Sequence, residues 1–175
     1  MLKGKKVMLR PIKRDDLANF LKWFNDPEVT QYLLLYLPMT EMAEEKWIEE
    51  GAKSGVHLVI EAIENDTTKP IGTIALNNLN QRNLTAEFGI AIGEKDYWSN
   101  GYGTEATQLL LKYGFDQLNL HRISSSAKAF NERSLRLHKK VGFRQEGLLR
   151  QSEFVNGHYH DKVMFGLLRE EWKGL

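Results

Sequence analysis

The 175-residue sequence contains no cysteine, only four prolines and almost no net charge. The lack of cysteine excludes disulfides, thiolate nucleophiles and thiolate metal sites. With 24 basic and 23 acidic residues the formal net charge is +1, so there is no broad electrostatic case for nucleic-acid binding. No apolar run approaches the ~20 residues of a membrane span, and none behind the basic N-terminus suits a signal peptide. We therefore expect a cytoplasmic protein without nucleic-acid or membrane partners.

What the sequence does contain is typical of one globular domain. Hydrophobic residues make up 42% and charged residues 27% of the chain, which is ordinary for soluble proteins. A chain of this length can bury a full core without disulfides or metals. Because no repeat, linker or low-complexity tract interrupts it, we predict a single domain over residues 1–175.

Hydrophobic periodicity divides the chain into strand and helix patterns. Predicted strands cover residues 7–12, 56–63, 71–76, 85–92 and 122–128, and predicted helices cover residues 14–24, 28–32, 41–50 and 132–141. We expect Gly51 to end the third of these helices. Another helix follows Gly103, and a closing pair of strands turns at Asn156-Gly157, the strongest short hairpin signal. This order predicts an α+β fold with a mixed, mainly antiparallel twisted sheet of six to seven strands flanked by helices.

The most informative segment is the glycine-rich stretch from Tyr97 to Ala106, which leads directly into a predicted helix. Gly101 and Gly103 carry no side chain, so a ligand can approach the backbone closely there. The first N–H groups of the helix lack partners within it and lie at its positive end. This arrangement predicts a site for a phosphate or pyrophosphate group.

The same glycines also fit the dinucleotide-binding pattern G-x-G-x-x-G/A, so a nucleotide-dependent oxidoreductase has to be considered. Seven residues separate Gly93, which closes the preceding strand, from Gly101, whereas that fingerprint directly follows its strand. About 20 residues further on, the sequence His121-Arg122-Ile123 offers no acid for a ribose hydroxyl. The ATP-type loop G-x-x-x-x-G-K is also missing. Both classes of nucleotide site are therefore disfavoured.

Several further motifs occur in a fixed order along the chain. Residues 86–92 precede the glycine-rich stretch, and residues 131–143 contain an Asn-x-x-Ser element that ends in Gly142-Phe143. Residues 156–161 form the closing turn. Together these motifs resemble the GNAT N-acetyltransferases, in particular their RimJ/RimL-like branch, and they are also similar to spermidine and aminosugar acetyltransferases. The resemblance covers nearly the whole chain, although Trp98 stands where the family usually has Gln or Arg.

The resemblance implies the GNAT acyl-CoA N-acyltransferase fold and transfer of an acetyl group from acetyl-CoA to a primary amine. The acceptor would be a protein N-terminal amine, a polyamine, an amino acid or an aminosugar. It also implies direct attack in a ternary complex without a metal, and homodimers are frequent in such families. A non-catalytic acyl-CoA-binding sensor or interaction domain remains the alternative.

The CoA-binding residues follow from the same resemblance. The exposed backbone of the strand at 90–92 would pair with the pantetheine arm as an added strand, and the helix start would hold the pyrophosphate. Asn131 and Ser134 would bond the far side of the arm. The cofactor-binding residues are therefore predicted to be Ile90, Ala91, Ile92, Trp98, Asn100, Gly101, Tyr102, Gly103, Thr104, Glu105, Asn131, Ser134 and Lys139.

Two residues are candidates for proton transfer during the reaction. Glu87 is an acid within an otherwise apolar strand, where a desolvated carboxylate would have a raised pKa and act as a general base. An outward-facing residue or a structural ion pair is the alternative interpretation. His138 stands where many relatives have a tyrosine general acid, and histidine can donate a proton near neutral pH. A histidine on a helix surface without a role is the alternative there.

The acceptor site is expected between the N-terminal helices and the loop after them. Candidate residues for binding the acceptor are Glu28, Tyr32, Tyr36 and Glu41, and such acids with aromatics suit a cation. His158 and His160 share a strand face with Asp161 nearby. Hairpin structure explains them as well as a metal does, and we expect no metal.

Overall fold

The computed structural model of the chain describes residues 1–33, 35, 38–65 and 67–174, with the backbone alone at residues 50–54. The strands are β1 (Leu2–Lys3), β2 (Val7–Pro11), β3 (Val56–Glu64), β4 (Thr67–Asn80), β5 (Thr85–Ile92), β6 (Arg122–Lys128), β7 (Arg144–Val155) and β8 (His158–Leu168). The helices are α1 (Leu17–Phe24), α2 (Pro27–Thr30), α3 (Glu41–Ser54), α4 (Tyr102–Asp116) and α5 (Glu132–Val141).

The described strands form one twisted sheet in the order β1-β2-β3-β4-β5-β6-β8-β7. Neighbouring strands are antiparallel except for β5 and β6, which are parallel and joined through α4. The predicted α+β class with a mixed sheet flanked by helices is confirmed. The strand number was underestimated by one, because the two-residue β1, which pairs with β2, is too short to show a period.

Helices cover both faces of the sheet. On one face α4 buries Leu110, Leu111 and Phe115 against the strands in the larger core. On the other face α1 packs Phe20 and Trp23 in a smaller core, beside α3. Each such side chain contributes ~1.5–3 kcal/mol when fully buried. The sheet is therefore a rigid middle layer whose second face lies under the N-terminal helices.

Among the predicted elements, helix α3 and strand β4 were too short. Helix α3 does not end at Gly51 but continues to Ser54, because one glycine inside a helix costs only ~1 kcal/mol. It stops before Gly55, where a Cβ atom would lie 2.3 Å from the Leu76 carbonyl oxygen. Strand β4 runs to Asn80 rather than ending at Leu76, since pairing with β5 holds polar residues that show no apolar alternation.

The parallel strands β5 and β6 separate at the centre of the sheet. They pair only from Thr85 to Glu87 on β5 and from Arg122 to Ser124 on β6. Beyond these positions β5 continues to Ile92 and β6 to Lys128. The backbone edge of β5 is therefore open from residue 88 onwards.

A buried ion-pair cluster fixes the start of the chain to the sheet. Arg10 donates two hydrogen bonds of 2.7 Å to Asp16 and one of 2.7 Å to Glu61, and all three residues are buried. Burial alone would raise the pKa of Asp16, but hydrogen bonds from Arg10 and Lys13 outweigh it and lower the pKa.

Within the described part of the chain no helix is long and apolar enough to cross a membrane.

Candidate active site

A cavity of about 720 Å³ opens where β5 and β6 separate. At one end it reaches Gly103 and Thr104 at the start of α4, and at the other it reaches Trp47 of α3 and His57 of β3. The cavity thus joins the glycine-rich stretch to the face of the sheet covered by the N-terminal helices.

The start of α4 has the geometry of an anion site. Gly101 caps the helix with φ of 88°, a left-handed conformation that is strained for other residues. The first N–H bonded within the helix is that of Glu105, which donates to the Gly101 carbonyl at 3.1 Å. The N–H groups of Tyr102, Gly103 and Thr104 precede it and point out of the helix end. The expectation that Glu105 offers its N–H to a ligand is not met.

The side chains of three predicted CoA-binding residues serve the loop itself. The Glu105 carboxylate accepts hydrogen bonds from the N–H groups of Lys5 and Lys6 at 2.6 and 2.8 Å. The Asn100 amide donates to the Asp96 carbonyl at 3.0 Å. The Tyr102 ring packs on Tyr97 with the centroids 5.1 Å apart. These contacts hold the glycine-rich stretch in place.

The open edge of β5 presents the backbone of Ile90 to the cavity. The Ser125 hydroxyl lies 3.0 Å from the Phe88 carbonyl, and the Trp98 indole donates to the Ile92 carbonyl at 2.8 Å. Backbone groups alternate along a strand, so the N–H and C=O of Ile90 face the cavity between these two contacts. The carbonyl of Ala91 faces β4 instead, because a Cβ atom on Gly72 would lie 2.1 Å from it.

Helix α5 forms the opposite wall. The Asn131 side chain caps it by accepting the Ser134 N–H at 3.2 Å, and both residues line the cavity. Arg136 and Lys140 also line it, whereas Lys139 does not. Helical spacing explains the difference, since residues 136 and 140 share a face that residue 139 leaves.

Arg133 bridges two walls of the cavity. Its guanidinium lies 4.0 Å from the centroid of the Trp98 ring and 5.1 Å from that of Tyr32. Tyr32 also contacts Trp98, at 6.3 Å between ring centroids. The cation therefore holds the loop after β5, the end of α2 and the start of α5 together.

Glu87 lies on the cavity wall but differs from the expectation in its surroundings. Its side chain is exposed, and one oxygen accepts a hydrogen bond of 3.1 Å from the Asn78 amide. It pairs across the strands with Asn77, so it belongs to the sheet face under the N-terminal helices. The apolar, desolvated environment expected from the sequence is absent around this carboxylate.

His138 is 2% exposed and is packed rather than presented on a helix surface. Its Nδ1 lies 2.7 Å from the Ser134 carbonyl, so the proton is on Nδ1 and Nε2 accepts from the Ser125 hydroxyl at 2.8 Å. The ring stacks on Phe165 at 4.4 Å. Burial lowers the pKa of His138, although the bond to the Ser134 carbonyl opposes this. The ring is neutral at neutral pH and contacts the cavity next to Ser125.

The residues predicted to bind the acceptor are not all brought together. Tyr32 lines the cavity, but Glu28 and Glu41 do not. Lys95 donates to Glu28 at 2.6 Å on the surface, and Glu41 is exposed in the first turn of α3. Tyr36 lies outside the described residues.

Three polar residues on the acceptor side, the buried Lys128 and Glu44 and the half-buried His57, were missed by the sequence reasoning. Lys128 donates to the carbonyls of Gln31 and Leu33 at 3.0 and 2.6 Å and so fixes the loop after α2. Glu44 and His57 line the cavity among aromatic side chains. The sequence does contain a signal for Glu44. It has the spacing that places it on the same helix face as Trp47 and Ile48, so it is a charged residue on an otherwise apolar, inward-facing side of α3.

The hairpin residues His160 and Asp161 are used structurally. The His160 ring packs on Phe130 at 4.6 Å, and Asp161 accepts the Gln151 N–H at 2.8 Å. In the described ranges no group of three His, Asp or Glu side chains is arranged to hold a metal ion.

Comparison with known proteins agrees with this architecture. The sequence pattern of the family described as Acetyltransferase (GNAT) domain matches residues 6–144. The chain is 33% identical over 173 residues to an uncharacterized N-acetyltransferase p20 of Bacillus licheniformis, covering 97% of this chain and 96% of that protein. It is 29% identical over 171 residues to the spermidine N(1)-acetyltransferase of Escherichia coli K12, covering 95% and 88% respectively.

The fold also matches solved structures. Spermidine N-acetyltransferase from Vibrio cholerae, solved with CoA and spermine, superposes with a TM-score of 0.86. The match covers 95% of this chain and 97% of that one, at 24% identity, so it bears on the fold. The chain belongs to the GNAT acetyltransferase family. The expected fold and the class of acetyl-CoA-dependent N-acetyltransferase are thereby confirmed, in preference to a non-catalytic binding domain.

Proposed function

We propose that the protein transfers the acetyl group of acetyl-CoA to a primary amine by direct attack within a ternary complex. The observation that carries the proposal is the single cavity that joins the open edge of β5 to the face of the sheet beneath α1 and α3. One side of the cavity suits an acyl donor and the other suits an acceptor. The two substrates would meet beside Ile90.

The donor side fits CoA by its backbone. The free N–H groups at the start of α4 would hold the pyrophosphate, and the N–H and C=O of Ile90 would pair with the amide groups of the pantetheine arm. Asn131 and Ser134 lie across the gap on α5. The basic residues Arg136 and Lys140 replace Lys139 in our proposal as partners of a CoA phosphate. Acetyl-CoA supplies the reactive thioester, and the backbone and basic groups of the protein hold it in position.

Proton transfer is assigned to residues around the same point. We propose that Glu87, acting through a water molecule, accepts the proton that the attacking ammonium must lose. A backbone N–H near Ile90 would stabilise the developing negative charge on the acetyl oxygen. His138 would act through Ser125, whose hydroxyl lies between the ring and the open edge of β5. Because a thiolate is a fair leaving group, we expect this second role to be the smaller one.

The acceptor is proposed as a cationic amine. Its side of the cavity combines the carboxylates of Glu87 and Glu44 with the aromatic rings of Tyr32, Phe24 and Trp47. Such a wall favours an alkylammonium over an anion. The presence of a spermidine acetyltransferase among the relatives is consistent with a cationic acceptor. A protein N-terminal amine also belongs to this class of acceptor.

The test is release of free thiol from acetyl-CoA by the purified protein. The acceptor panel contains spermidine, single amino acids, an aminosugar nucleotide and peptides with free Ser or Ala N-termini. Release with a cationic amine, together with mass-spectrometric detection of its acetylated product, supports the proposal. Release only with anionic or neutral acceptors, or none with any amine, contradicts it.

We also propose that the protein is cytoplasmic and forms a homodimer. Strand β7 is an edge of the sheet, and its hairpin exposes Leu148, Leu149, Phe154 and Tyr159. Exposed apolar side chains on an edge strand are typical of an interface. Light scattering coupled to size-exclusion chromatography would give twice the 20.2 kDa chain mass for a dimer, and the single mass would contradict it.

A further inference from the structure

Two buried polar side chains at the acceptor end of the cavity have no hydrogen-bond partner among the described residues. Neither carboxyl oxygen of Glu44 on α3 has one, and neither ring nitrogen of His57 on β3 has one. Glu44 is 0% exposed, and both side chains line the cavity. A buried polar group left unpaired costs about 1–3 kcal/mol, and more when charged. Such a pair therefore requires a structural or functional explanation.

Aromatic packing fixes the position of these two groups. Trp47 lies one helical turn after Glu44 on α3, and its ring centroid is 5.3 Å from that of His57 at a near-perpendicular angle. Phe20 and Phe24 contact the same indole ring at 6.2 and 6.3 Å. Trp47 thus joins the helix that carries Glu44 to the ring of His57.

The strand register gives the distance from this pair to the proposed transfer point. His57 pairs with Ala75 on β4, and Ala75 pairs with Gly89 on β5. Two strand spacings of ~4.8 Å therefore place His57 about 10 Å from Gly89. Asn77 lies beside Gly89 on this face, since its side-chain amide nitrogen would be 3.6 Å from a Cβ atom on Gly89. An elongated acceptor can cross β4 on this face and reach both ends.

The chemistry of the pair selects a cation. A carboxylate accepts hydrogen bonds only, and a neutral imidazole offers one accepting nitrogen. An alkylammonium has three donors and no acceptor, so it can donate to the Glu44 carboxylate and to the accepting nitrogen of His57 at once. The Trp47 ring adds a cation–π surface. Burial raises the pKa of Glu44 to about 7 and lowers that of His57, and a bound cation would keep the Glu44 carboxyl ionised.

We propose that Glu44 and His57 form a binding site for a second ammonium group of the acceptor, which is therefore a linear diamine or polyamine. An extended chain spans ~3.5 Å per three bonds, so its two nitrogens would be about eight bonds apart. This inference rests on the proposed function and specifies the acceptor that the same cavity selects.

The experiment compares linear α,ω-diamines of four to ten carbons with n-alkylamines of the same carbon number. We expect kcat/KM for the diamine to exceed that for the matched monoamine by at least about tenfold, most strongly near seven carbons, as one charged hydrogen bond implies. Glu44→Gln should remove this preference by raising KM for the diamine far more than KM for the matched monoamine. Glu45→Gln is the matched control, because Glu45 is the exposed neighbour on the same helix.

The outcomes separate this inference from the function on which it rests. Equal kcat/KM for diamines and monoamines overturns the second ammonium site and leaves amine acetylation standing. An equal loss for both substrate types in Glu44→Gln, or the same loss in Glu45→Gln, also overturns it. No acetylation of any amine refutes the proposed function itself. Melting temperatures of both variants establish that each is folded.

Discussion

The Nε2 atom of His138 lies 2.8 Å from the hydroxyl of Ser125, which in turn lies 3.0 Å from the Phe88 carbonyl at the open edge of β5. One hydroxyl thus links a buried imidazole to the point where β5 leaves β6. Since the other ring nitrogen faces the Ser134 carbonyl, both nitrogens of His138 are satisfied within the protein. We therefore propose that His138 acts through Ser125 rather than as a free acid.

Ser125→Ala should destabilise the protein, because it leaves the Nε2 atom of the buried His138 without a partner. We expect a loss of about 1–3 kcal/mol in the free energy of unfolding, measured by urea denaturation. Ser152→Ala is the control, since Ser152 is exposed and donates only to the nearby Leu149 carbonyl. A loss no larger than that of the control would show that the contact is unimportant.

Gly101→Ala should weaken CoA binding more than its effect on stability explains. Gly101 and Gly157 both have left-handed backbones, with φ of 88° and 84°, so alanine strains each by about 1 kcal/mol. Gly101 alone begins α4 and lines the cavity. We expect CoA affinity, measured by calorimetry, to fall at least about tenfold in Gly101→Ala. Equal affinities in the two variants would contradict the anion site.

Arg10→Ala should be among the most destabilising single changes. It removes the partner that Asp16 and Glu61 share in a buried cluster, and breaking such a pair costs about 3–5 kcal/mol. Arg144→Ala is the comparison, because its ion pair with Glu171 is exposed on the arginine side and is worth at most ~1 kcal/mol. Urea unfolding that ranks the two variants equally would be inconsistent with the cluster.

Glu44 should make stability depend on pH. Burial raises its folded-state pKa to about 7, so the folded chain retains a proton that the unfolded chain releases near pH 4.5. Stability is then highest below pH 4.5 for this group, falls as pH rises to about 7 and is level above that. We expect the unfolding free energy of Glu44→Gln relative to wild type to rise by about 2–3 kcal/mol between pH 5 and pH 8. No change in this difference would contradict an uncompensated buried carboxyl.

Glu87→Gln should lower kcat about a hundredfold if the carboxylate removes the proton of the acceptor. Asn78→Ala is the comparison, because Asn78 only donates a hydrogen bond to Glu87 at 3.1 Å and its loss should cost far less. An unchanged kcat in Glu87→Gln, measured by thiol release at saturating acceptor, would exclude Glu87 as the base.

Local sequence signals predicted most of the fold because they are strong in the strands and the helix that border the cavity. β5, β6 and α5 have the predicted boundaries, since each combines clear periodicity with a cap or a turn residue. Helix α3 was predicted too short, because Gly51 resembles a helix end locally and tertiary packing carries the helix past it. Strand β1 has only two residues and no period to detect.

The backbone part of the site was predictable and much of the side-chain part was not. Glycine spacing indicates the helix start at Gly101 without any tertiary information. In contrast, Glu44 and His57 line the same cavity only because α3 packs on β3. Glu28 pairs with Lys95, which is distant in sequence, and does not line the cavity. Exposure of Glu87 and burial of His138 likewise depend on neighbours that are distant in sequence.

Two-substrate initial-rate kinetics test directly whether the acetyl group passes from one substrate to the other while both are held in one cavity. Initial rates of thiol release are measured with acetyl-CoA and a linear diamine varied together. We expect double-reciprocal lines that intersect, because both substrates must be bound before the acetyl group moves. Parallel lines, together with acetyl label retained on the protein in the absence of amine, would contradict it.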